Sequence, residues 1–236
     1  MFRELDLPFS RSEVLRGISE LNLNKSAGPD GILNEFLLYA KIVFRIICLH
    51  CSINFYTSDT FQRSGGEGYI VPIHKSGDPS NVNNFRGITL LSVIGKLFTR
   101  LINSRLTHWA ENYYIYVESQ AGFISKMGTI DNIFVLHGLV NHLINDNKQL
   151  FCAFVDYSKA FDYPVRQNIW YKLHNLGIRG KLFKTIKSMY SHITSQVRLN
   201  NNLGEIFESN LGVRQGESLT LPLCHVFERF RRRIIS

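Results

Sequence analysis

The sequence has 236 residues, of which 44% are hydrophobic and 12% aromatic, so the chain can bury the core of one large domain or two small ones. Its formal net charge of +8 favours an anionic partner such as nucleic acid. The apolar stretch at residues 36–56 is interrupted by Lys41, Arg45, His50 and Asn54, which excludes a membrane span and predicts no membrane partner.

A capping pattern and a glycine-rich loop organise the first part of the chain. Ser10 and Glu13 match a capping box, and apolar residues follow at helical spacing, so we predict a helix over residues 11–22. Residues 25–31 read Lys-Ser-Ala-Gly-Pro-Asp-Gly, and their density of Gly and Pro is typical of a tight loop.

Residues 33–56 have the pattern of one long helix. Cys48 and Cys51 within it form the only Cys-x-x-Cys pair of the sequence. Because no second pair lies at zinc spacing, we interpret these cysteines as core residues of an intracellular protein in a reducing compartment.

Two short extended segments follow. Residues 69–75 predict a strand, and Pro72 places it at a sheet edge because proline lacks the backbone donor that an interior strand needs. Residues 83–92 form the second segment and lead into a helix. Each segment has a cation, Lys75 and Arg86, which by themselves are consistent with solvated surface positions.

An apolar stripe predicts that helix over about residues 91–110. Lys96, Arg100 and Arg105 lie off the stripe, where they either contact a nucleic-acid strand or form a solvated face. A polar-to-glycine break follows at residues 119–123, which read Ser-Gln-Ala-Gly-Phe.

Residues 150–156, Leu-Phe-Cys-Ala-Phe-Val-Asp, are the most informative stretch. The short apolar run predicts a buried strand, which follows a helix capped by Thr129. The desolvation of Asp156 at the strand end requires compensation. Either a metal cation provides it, or Asp156 caps the next helix and pairs with Lys159, and the residues alone favour the capping role.

The last part of the chain predicts two helices, a hairpin and a second glycine block. The helices span residues 166–176 and 181–190, and an Asn/Gly turn predicts the β-hairpin over residues 195–210. Residues 212–216 then read Gly-Val-Arg-Gln-Gly. The two glycines allow the backbone to approach a ligand where a Cβ would clash, and a helix N-terminus after them would suit phosphate.

Four blocks, in this order, resemble the reverse transcriptases of non-LTR (LINE-type) retrotransposons. They are the block that opens the polymerase region, the template-path block and two palm blocks, at residues 25–31, 119–123, 154–162 and 212–216. Ala27 stands where the family usually has proline, and Ile124 stands where it has arginine. The resemblance covers roughly residues 20–220.

The resemblance implies an α+β fold of the right-hand polymerase type, with fingers and a partial palm whose sheet holds Asp156. The implied activity is RNA-directed DNA synthesis, in which deoxynucleoside triphosphates extend a DNA primer on an RNA template with Mg²⁺. Asp156 is then the catalytic, metal-binding residue, and Phe161 is the gate that excludes a ribose 2′-hydroxyl.

The resemblance also assigns residues to two further parts of the site. The nucleotide is bound by two cations and by the second palm block, at Lys75, Arg86, Gln215 and Gly216. The template path is formed by Gln120, Gly122 and Phe123. Arginine offers a fork and lysine a point charge to phosphate oxygens, so the choice of cations suits a triphosphate.

The sequence departs from the family near its end. Its 236 residues contain no aromatic-x-Asp-Asp motif and no recognisable thumb, so the metal site is incomplete and we expect weak or no polymerase activity. With one choice of codons, residues 228–234 read one base later give Asn-Asp-Leu, as in the family. This match suggests a frameshift near residue 220.

We therefore predict an N-terminal helical segment, a fingers-like region, a partial palm and an aberrant basic tail, at residues 1–24, 25–148, 149–221 and 222–236. The expected function is that of an inactive polymerase fragment, with no evident oligomer. One alternative is a non-catalytic nucleic-acid binder, for which the positive charge suffices. Another is a palm that does not fold stably, because a missing hairpin leaves an unpaired edge.

Overall fold

The computed structural model describes residues 2–39, 66–116, 121–122, 124, 127–156, 159, 161–200, 202–214 and 216–219. These residues form a mixed α/β arrangement of helices and a four-stranded sheet. The helices are α1 (Arg11–Ser19), α2 (Asn34–Tyr39), α3 (Val93–Asn112), α4 (Thr129–Asn145), α5 (Arg166–Asn175) and α6 (Lys181–Met189). The strands are β1 (Glu67–His74), β2 (Phe85–Leu90), β3 (Thr194–Leu199) and β4 (Asn202–Glu208). None of the described helices has both the length and the hydrophobicity needed to cross a bilayer.

Helix α3 lies at the centre of the hydrophobic core. Its apolar stripe is the buried face, and the side chains of Leu97 and Phe98 are fully buried. Helix α1 begins at the predicted capping box of Ser10 and packs on α3 across Gly17. A Cβ at Gly17 would lie 2.9 Å from Leu101 Cδ2, so the two helices approach closely there. The sequence therefore predicted both helices and the face that each buries.

The sheet has the strand order β2-β1-β3-β4, in which only the β1–β3 pair is parallel. The edge position predicted for Pro72 is wrong, because β1 lies between β2 and β3. The interior strand tolerates proline because β3 pairs only with residues 67–70 of β1. Pro72 lies beyond that pairing, opposite Gly87 of β2 alone.

Helices α5 and α6 and the β3–β4 hairpin confirm the predictions for the last part of the chain. The hairpin turn is tighter than predicted, since Leu199 already pairs with Asn202. Helix α2 is the described part of the long helix predicted over residues 33–56. The rest of that helix, with Cys48 and Cys51, lies outside the described residues.

Helix α4 forms where it was predicted, but none of its residues is buried. Its N-cap is Gly128 rather than the predicted Thr129, and the Gly128 N–H donates to Asp131 Oδ2 at 2.6 Å. The apolar side chains of Ile130 and Phe134 are 78% and 76% exposed. The spacing of apolar residues correctly predicted helix α4, but these apolar residues are not buried in the structure.

The strand predicted at residues 150–155 is not present. Residues 148–156 have no regular secondary structure, and Phe151 and Phe154 are 88% and 87% exposed. A strand forms only where a partner edge is available, and none of the described strands pairs with this segment. The apolar run could predict burial but could not specify a partner, so Asp156 is exposed and does not lie on the sheet.

Candidate nucleic-acid interface

An open pocket of about 460 Å³ lies between the loop after α1, the sheet and helix α3. Strands β1 and β2 provide an apolar wall that includes Val71, Ile73 and Ile88. Gly216 and Ser218, at the end of the second glycine block, complete the lining. The pocket therefore brings together segments that lie almost two hundred residues apart in the sequence.

Four basic side chains line this pocket, and we call it the basic pocket: they are Lys25, Lys96, Arg100 and Arg198. None of the lining residues, all of which belong to the described part of the chain, is an aspartate or glutamate. A concave surface lined by one sign of charge concentrates ions of the opposite sign. The basic pocket is thus suited to a phosphate-rich ligand.

Neighbouring groups act on three of these four cations. Burial lowers the pKa of Lys96, and the charge of Asp30 opposes that shift. Arg100 donates a hydrogen bond to the backbone carbonyl of Glu20. The Arg198 guanidinium lies 5.8 Å from the centroid of the Tyr69 ring, within the range of a cation–π contact.

The loop at residues 25–31 is attached to the start of helix α3. Asp30 Oδ2 accepts the Val93 N–H at 2.9 Å, and Asp30 Oδ1 accepts the Ile32 N–H at 3.2 Å. A Cβ at Gly28 would lie only 2.1 Å from the Leu91 carbonyl oxygen, so this close backbone contact requires glycine. The loop predicted from Gly and Pro therefore places Lys25 beside the helix that provides Lys96 and Arg100.

The second glycine block packs directly on the turn that follows the first palm-like block. The Val213 N–H donates to the Phe161 carbonyl at 2.8 Å, and the Gly212 N–H donates to the Pro164 carbonyl at 3.0 Å. Gly212 has φ +72°, and a Cβ there would lie 2.6 Å from the carbonyl oxygens of Phe161 and Asp162. The predicted close approach at this glycine is therefore made to the protein backbone.

Gly216, the second glycine of the block, lies against strand β2. Its φ is +108°, and a Cβ would lie 3.1 Å from the Thr89 carbonyl oxygen. The contact places the end of the block at the basic pocket. The helix predicted after this glycine does not begin within residues 216–219, which form turns.

Comparison with known families identifies the family of this chain. The profile described as "Reverse transcriptase (RNA-dependent DNA polymerase)" matches residues 73–227, which is more than half of the chain. The chain belongs to the reverse transcriptase family. The match includes the blocks at residues 154–162 and 212–216 and helix α3, so the resemblance seen in the sequence is confirmed at the family level.

The relatives of this chain are proteins of non-LTR retrotransposons. It is 27% identical over 232 residues to the probable RNA-directed DNA polymerase from transposon BS of Drosophila melanogaster, which covers 93% of this chain and 24% of that protein. It is 28% identical over 239 residues to the RNA-directed DNA polymerase from mobile element jockey of the same organism, covering 95% of this chain and 25% of that protein. For the probable RNA-directed DNA polymerase from its transposon X-element, the identity is 30% over 196 residues, 78% of this chain and 19% of that protein. The chain thus spans a quarter or less of these relatives.

Lys75 and Arg86 lie on the β1–β2 hairpin and are both exposed. Arg86 pairs with Ile73, so its side chain is on the same face of the hairpin as Ile73 and Val71, which line the basic pocket. Lys75 follows β1 directly, and its N–H donates to the Asn84 carbonyl at 2.8 Å. Neither cation lines the pocket itself, but Arg86 lies on the hairpin face that continues from it.

The described residues do not fit a complete metal centre around Asp156. No group of three or more His, Cys, Asp or Glu side chains in the described part of the chain lies close enough together to hold a metal ion. Asp156 is exposed, and Asp162 is exposed beside the second glycine block. We therefore derive no catalytic step through a metal ion from these residues.

Several predicted site residues have no described position. Gln120, Phe123 and Gln215 lie outside the described residues, as does the basic tail at residues 222–236. Of the predicted template path, Gly122 is described, and it is exposed. Phe161 is half-buried and packs against the hydrophobic core.

The structure separates three cations that the sequence could not distinguish. Lys96 and Arg100 line the basic pocket, whereas Arg105 is paired with Glu13 at 2.6 Å and lies over the Phe9 ring. Arg198 was not predicted as a site residue, because it lies in a hairpin that has no recognisable motif. The pattern of polar and apolar residues along β3 does not single out Arg198, because only the order of the strands in the sheet brings β3 to the pocket.

Proposed function

We propose that this chain provides the fingers, over residues 25–148, and part of the palm, over residues 149–221, of an RNA-directed DNA polymerase. In this proposal the basic pocket binds the phosphate backbone of an RNA strand. The supporting observation is that four cations and no carboxylate line a pocket whose wall includes Gly216 of the second palm block. Phosphate neutralisation by such cations is the dominant, salt-dependent contribution to nucleic-acid affinity.

The test is a salt titration of the affinity of the 236-residue chain for a single-stranded RNA. Lys25→Gln, Lys96→Gln and Arg198→Gln each remove one charge from the pocket. For a single strand, each lost phosphate contact is expected to reduce the slope of log K against log salt by about 0.7. Lys184→Gln is the matched control, because Lys184 is exposed on α6 and does not line the pocket.

Arg100 is not used in this series, because its hydrogen bond to the Glu20 carbonyl also contributes to folding. Pocket variants that keep both the parental affinity and the parental slope would contradict the proposal. A loss in the Lys184→Gln control equal to the loss in the pocket variants would show diffuse binding over the surface.

We propose the nucleotide site from the family resemblance. Lys75 and Arg86 bind the triphosphate, Phe161 excludes the 2′-hydroxyl, and Gln215 and Gly216 line the nucleotide pocket. The contact of Val213 with Phe161 supports this assignment, because it places the two palm blocks side by side. Gln120, Gly122 and Phe123 are assigned to the template path on the resemblance alone.

On the family resemblance alone, we propose Asp156 as one of the residues that would hold Mg²⁺, which when bound would stabilise the charge that develops during phosphoryl transfer. Because the 236 residues contain no aromatic-x-Asp-Asp motif, we expect little or no primer extension by this chain with Mg²⁺. Extension that requires Mg²⁺ and disappears in Asp156→Ala would overturn this expectation.

A non-catalytic RNA-binding role is the second candidate, and a specific observation favours it. The basic pocket forms from segments that do not include Asp156. RNA affinity is therefore expected to be the same in Asp156→Ala and in the parent chain. A lower RNA affinity of Asp156→Ala would show that the carboxylate contributes to binding. That result would favour the polymerase function over the non-catalytic role.

A further inference from the structure

The side chain of Arg166 is a buried cation that the proposed function does not use. It is 7% exposed and is the first residue of helix α5. A cation at this end of a helix is unfavourable, because the helix dipole places partial positive charge there. Burial lowers the pKa of Arg166; Tyr190 and Glu217 oppose this shift, and the charge of Arg214, a second buried arginine, adds to it.

Three backbone carbonyls compensate for this unfavourable position. Arg166 Nε donates to Gly212 O at 2.9 Å, Nη2 to Leu211 O at 3.1 Å and Nη1 to Tyr190 O at 3.0 Å. Two of these acceptors belong to the loop that begins the second palm block. The guanidinium therefore connects the start of α5 to that loop, and lysine could not reproduce its planar set of donors.

A second contact fixes the other end of the same loop. Tyr190 Oη donates to Glu217 Oε2 at 2.7 Å, and both side chains are buried. Arg214, between these two contacts, donates to the Met189 carbonyl at 3.2 Å. The described residues of this loop, 211–214 and 216–217, are thus tied at both ends to the segment around Tyr190.

We infer that Arg166 is a positioning residue that holds the 211–217 loop on the turn at Phe161 and thereby sets Gly216 in the wall of the basic pocket. The inference rests on the proposed function, because its consequence is measured as RNA affinity. Arg166 does not line the pocket and so makes no phosphate contact there. Its loss should change where Gly216 lies without removing a charge from the RNA site.

The experiment compares Arg166→Lys with the parent chain by amide hydrogen exchange and RNA titration. In the variant, the Gly212 and Val213 amides are expected to exchange about tenfold faster, while the amides that pair β1 with β2 keep their protection. RNA affinity should fall about fivefold with an unchanged salt slope and an unchanged stoichiometry. Arg179→Lys is the matched control, because Arg179 donates to the His174 carbonyl at an exposed helix end.

A merely stabilising role makes a different prediction. It would speed exchange by the same factor at all the amides that open only by global unfolding, and it would lower the RNA-competent fraction rather than the affinity. Either result in Arg166→Lys would overturn the inference. The inference would also be overturned if the Gly212 and Val213 amides of Arg166→Lys exchange faster while its RNA affinity stays at the parental value. This holds provided that the pocket variants weaken binding.

Two further outcomes keep the inference separate from the proposed function. If the pocket variants do not change RNA affinity, the proposed function fails, and the selectivity of exchange alone decides whether Arg166 positions the loop. If Arg166→Lys does not fold, Tyr190→Phe removes the contact with Glu217 at the other end of the loop. The same selective exchange is expected there, and uniform exchange would overturn the inference.

Discussion

Helices α3 and α4 have similar apolar patterns and different surroundings. In α3 the apolar residues contact α1 and the rest of the hydrophobic core, and Phe98 is fully buried. In α4 no residue is buried, and Phe134 is mostly exposed. The comparison shows that helical periodicity determines which face of a helix is apolar, whereas burial requires a partner whose shape and position fit that face.

Helix α3 packs closely against α1 and the 25–31 loop, whereas α4 has no such close contacts in the described structure. Gly17 and Gly28 allow α1 and the 25–31 loop to approach α3 within the distance that a Cβ would occupy. At Gly138 of α4, no atom of the described residues lies within 4 Å of the position that a Cβ would take. Glycine is therefore required for close packing at α3 but not at α4. Substitution by alanine should destabilise the protein in the first region and not in the second.

The largest expected difference is between two phenylalanines. Phe98→Ala should lower the free energy of unfolding by about 3–5 kcal/mol, because it leaves a cavity in the core. Phe134→Ala should change it by less than about 0.5 kcal/mol, as is typical of exposed positions. Urea denaturation of both variants measures the difference. Equal losses would show that α4 is buried in solution and that the comparison is wrong.

The two glycines give the next effect. Gly28→Ala should cost about 3 kcal/mol, because the added Cβ overlaps the Leu91 carbonyl and the backbone must move. Gly138→Ala should stabilise by up to about 1 kcal/mol, because alanine favours the helix and meets open space. Thermal and urea unfolding of the pair provide the measurement. Destabilisation by Gly138→Ala would show that α4 has a close neighbour.

A smaller effect is expected for the carboxylate that attaches the loop to α3. Asp30→Ala removes the acceptor of the Val93 and Ile32 amides and should cost about 1–2 kcal/mol. Asp131→Ala in α4 is the matched change, because Asp131 accepts only the exposed Gly128 N–H in the described contacts. Urea denaturation should show the larger loss for Asp30→Ala, and the reverse order would contradict the attachment of the loop.

The smallest effect concerns the ion pair between α1 and α3. Burial would raise the pKa of Glu13, but hydrogen bonds from Arg105 and Ser10 outweigh it and lower the pKa from 4.5 to about 2. A carboxylate whose pKa is lowered by folding stabilises the protein above its unfolded pKa, and this contribution is lost as the pH falls. Glu13→Gln should therefore cost about 1 kcal/mol near neutral pH.

The pH dependence provides the check on that prediction. The difference in melting temperature between the parent and Glu13→Gln should decrease as the pH falls from 4.5 to about 2, where Glu13 becomes protonated. A difference that stays constant over this interval would show that the charge of Glu13 does not contribute.

Local rules predicted the secondary structure where local chemistry is sufficient. The capping box at Ser10 and the helical patterns at residues 166–176 and 181–190 gave elements that the structure confirms. The β3–β4 hairpin also forms, but Asn202 and Gly204 of the predicted Asn/Gly turn lie in strand β4. The sequence blocks gave the family, which the comparison confirms. Lys75, Arg86 and Asp156 remain predictions, because their roles depend on ligands and on geometry that the described residues do not test.

The sequence by itself determined the family, the main helices and the loop at residues 25–31, because motif order, helical period and turn propensity depend on residue type. Only the tertiary structure decided which cations share a pocket and which apolar segments are buried. Arg198 lines the same pocket as Lys96 because of the sheet order, and residues 150–155 remain exposed because no described strand pairs with them. Strand pairing and helix packing join distant parts of the chain, and a local apolar pattern specifies that a partner is needed but not which partner it is.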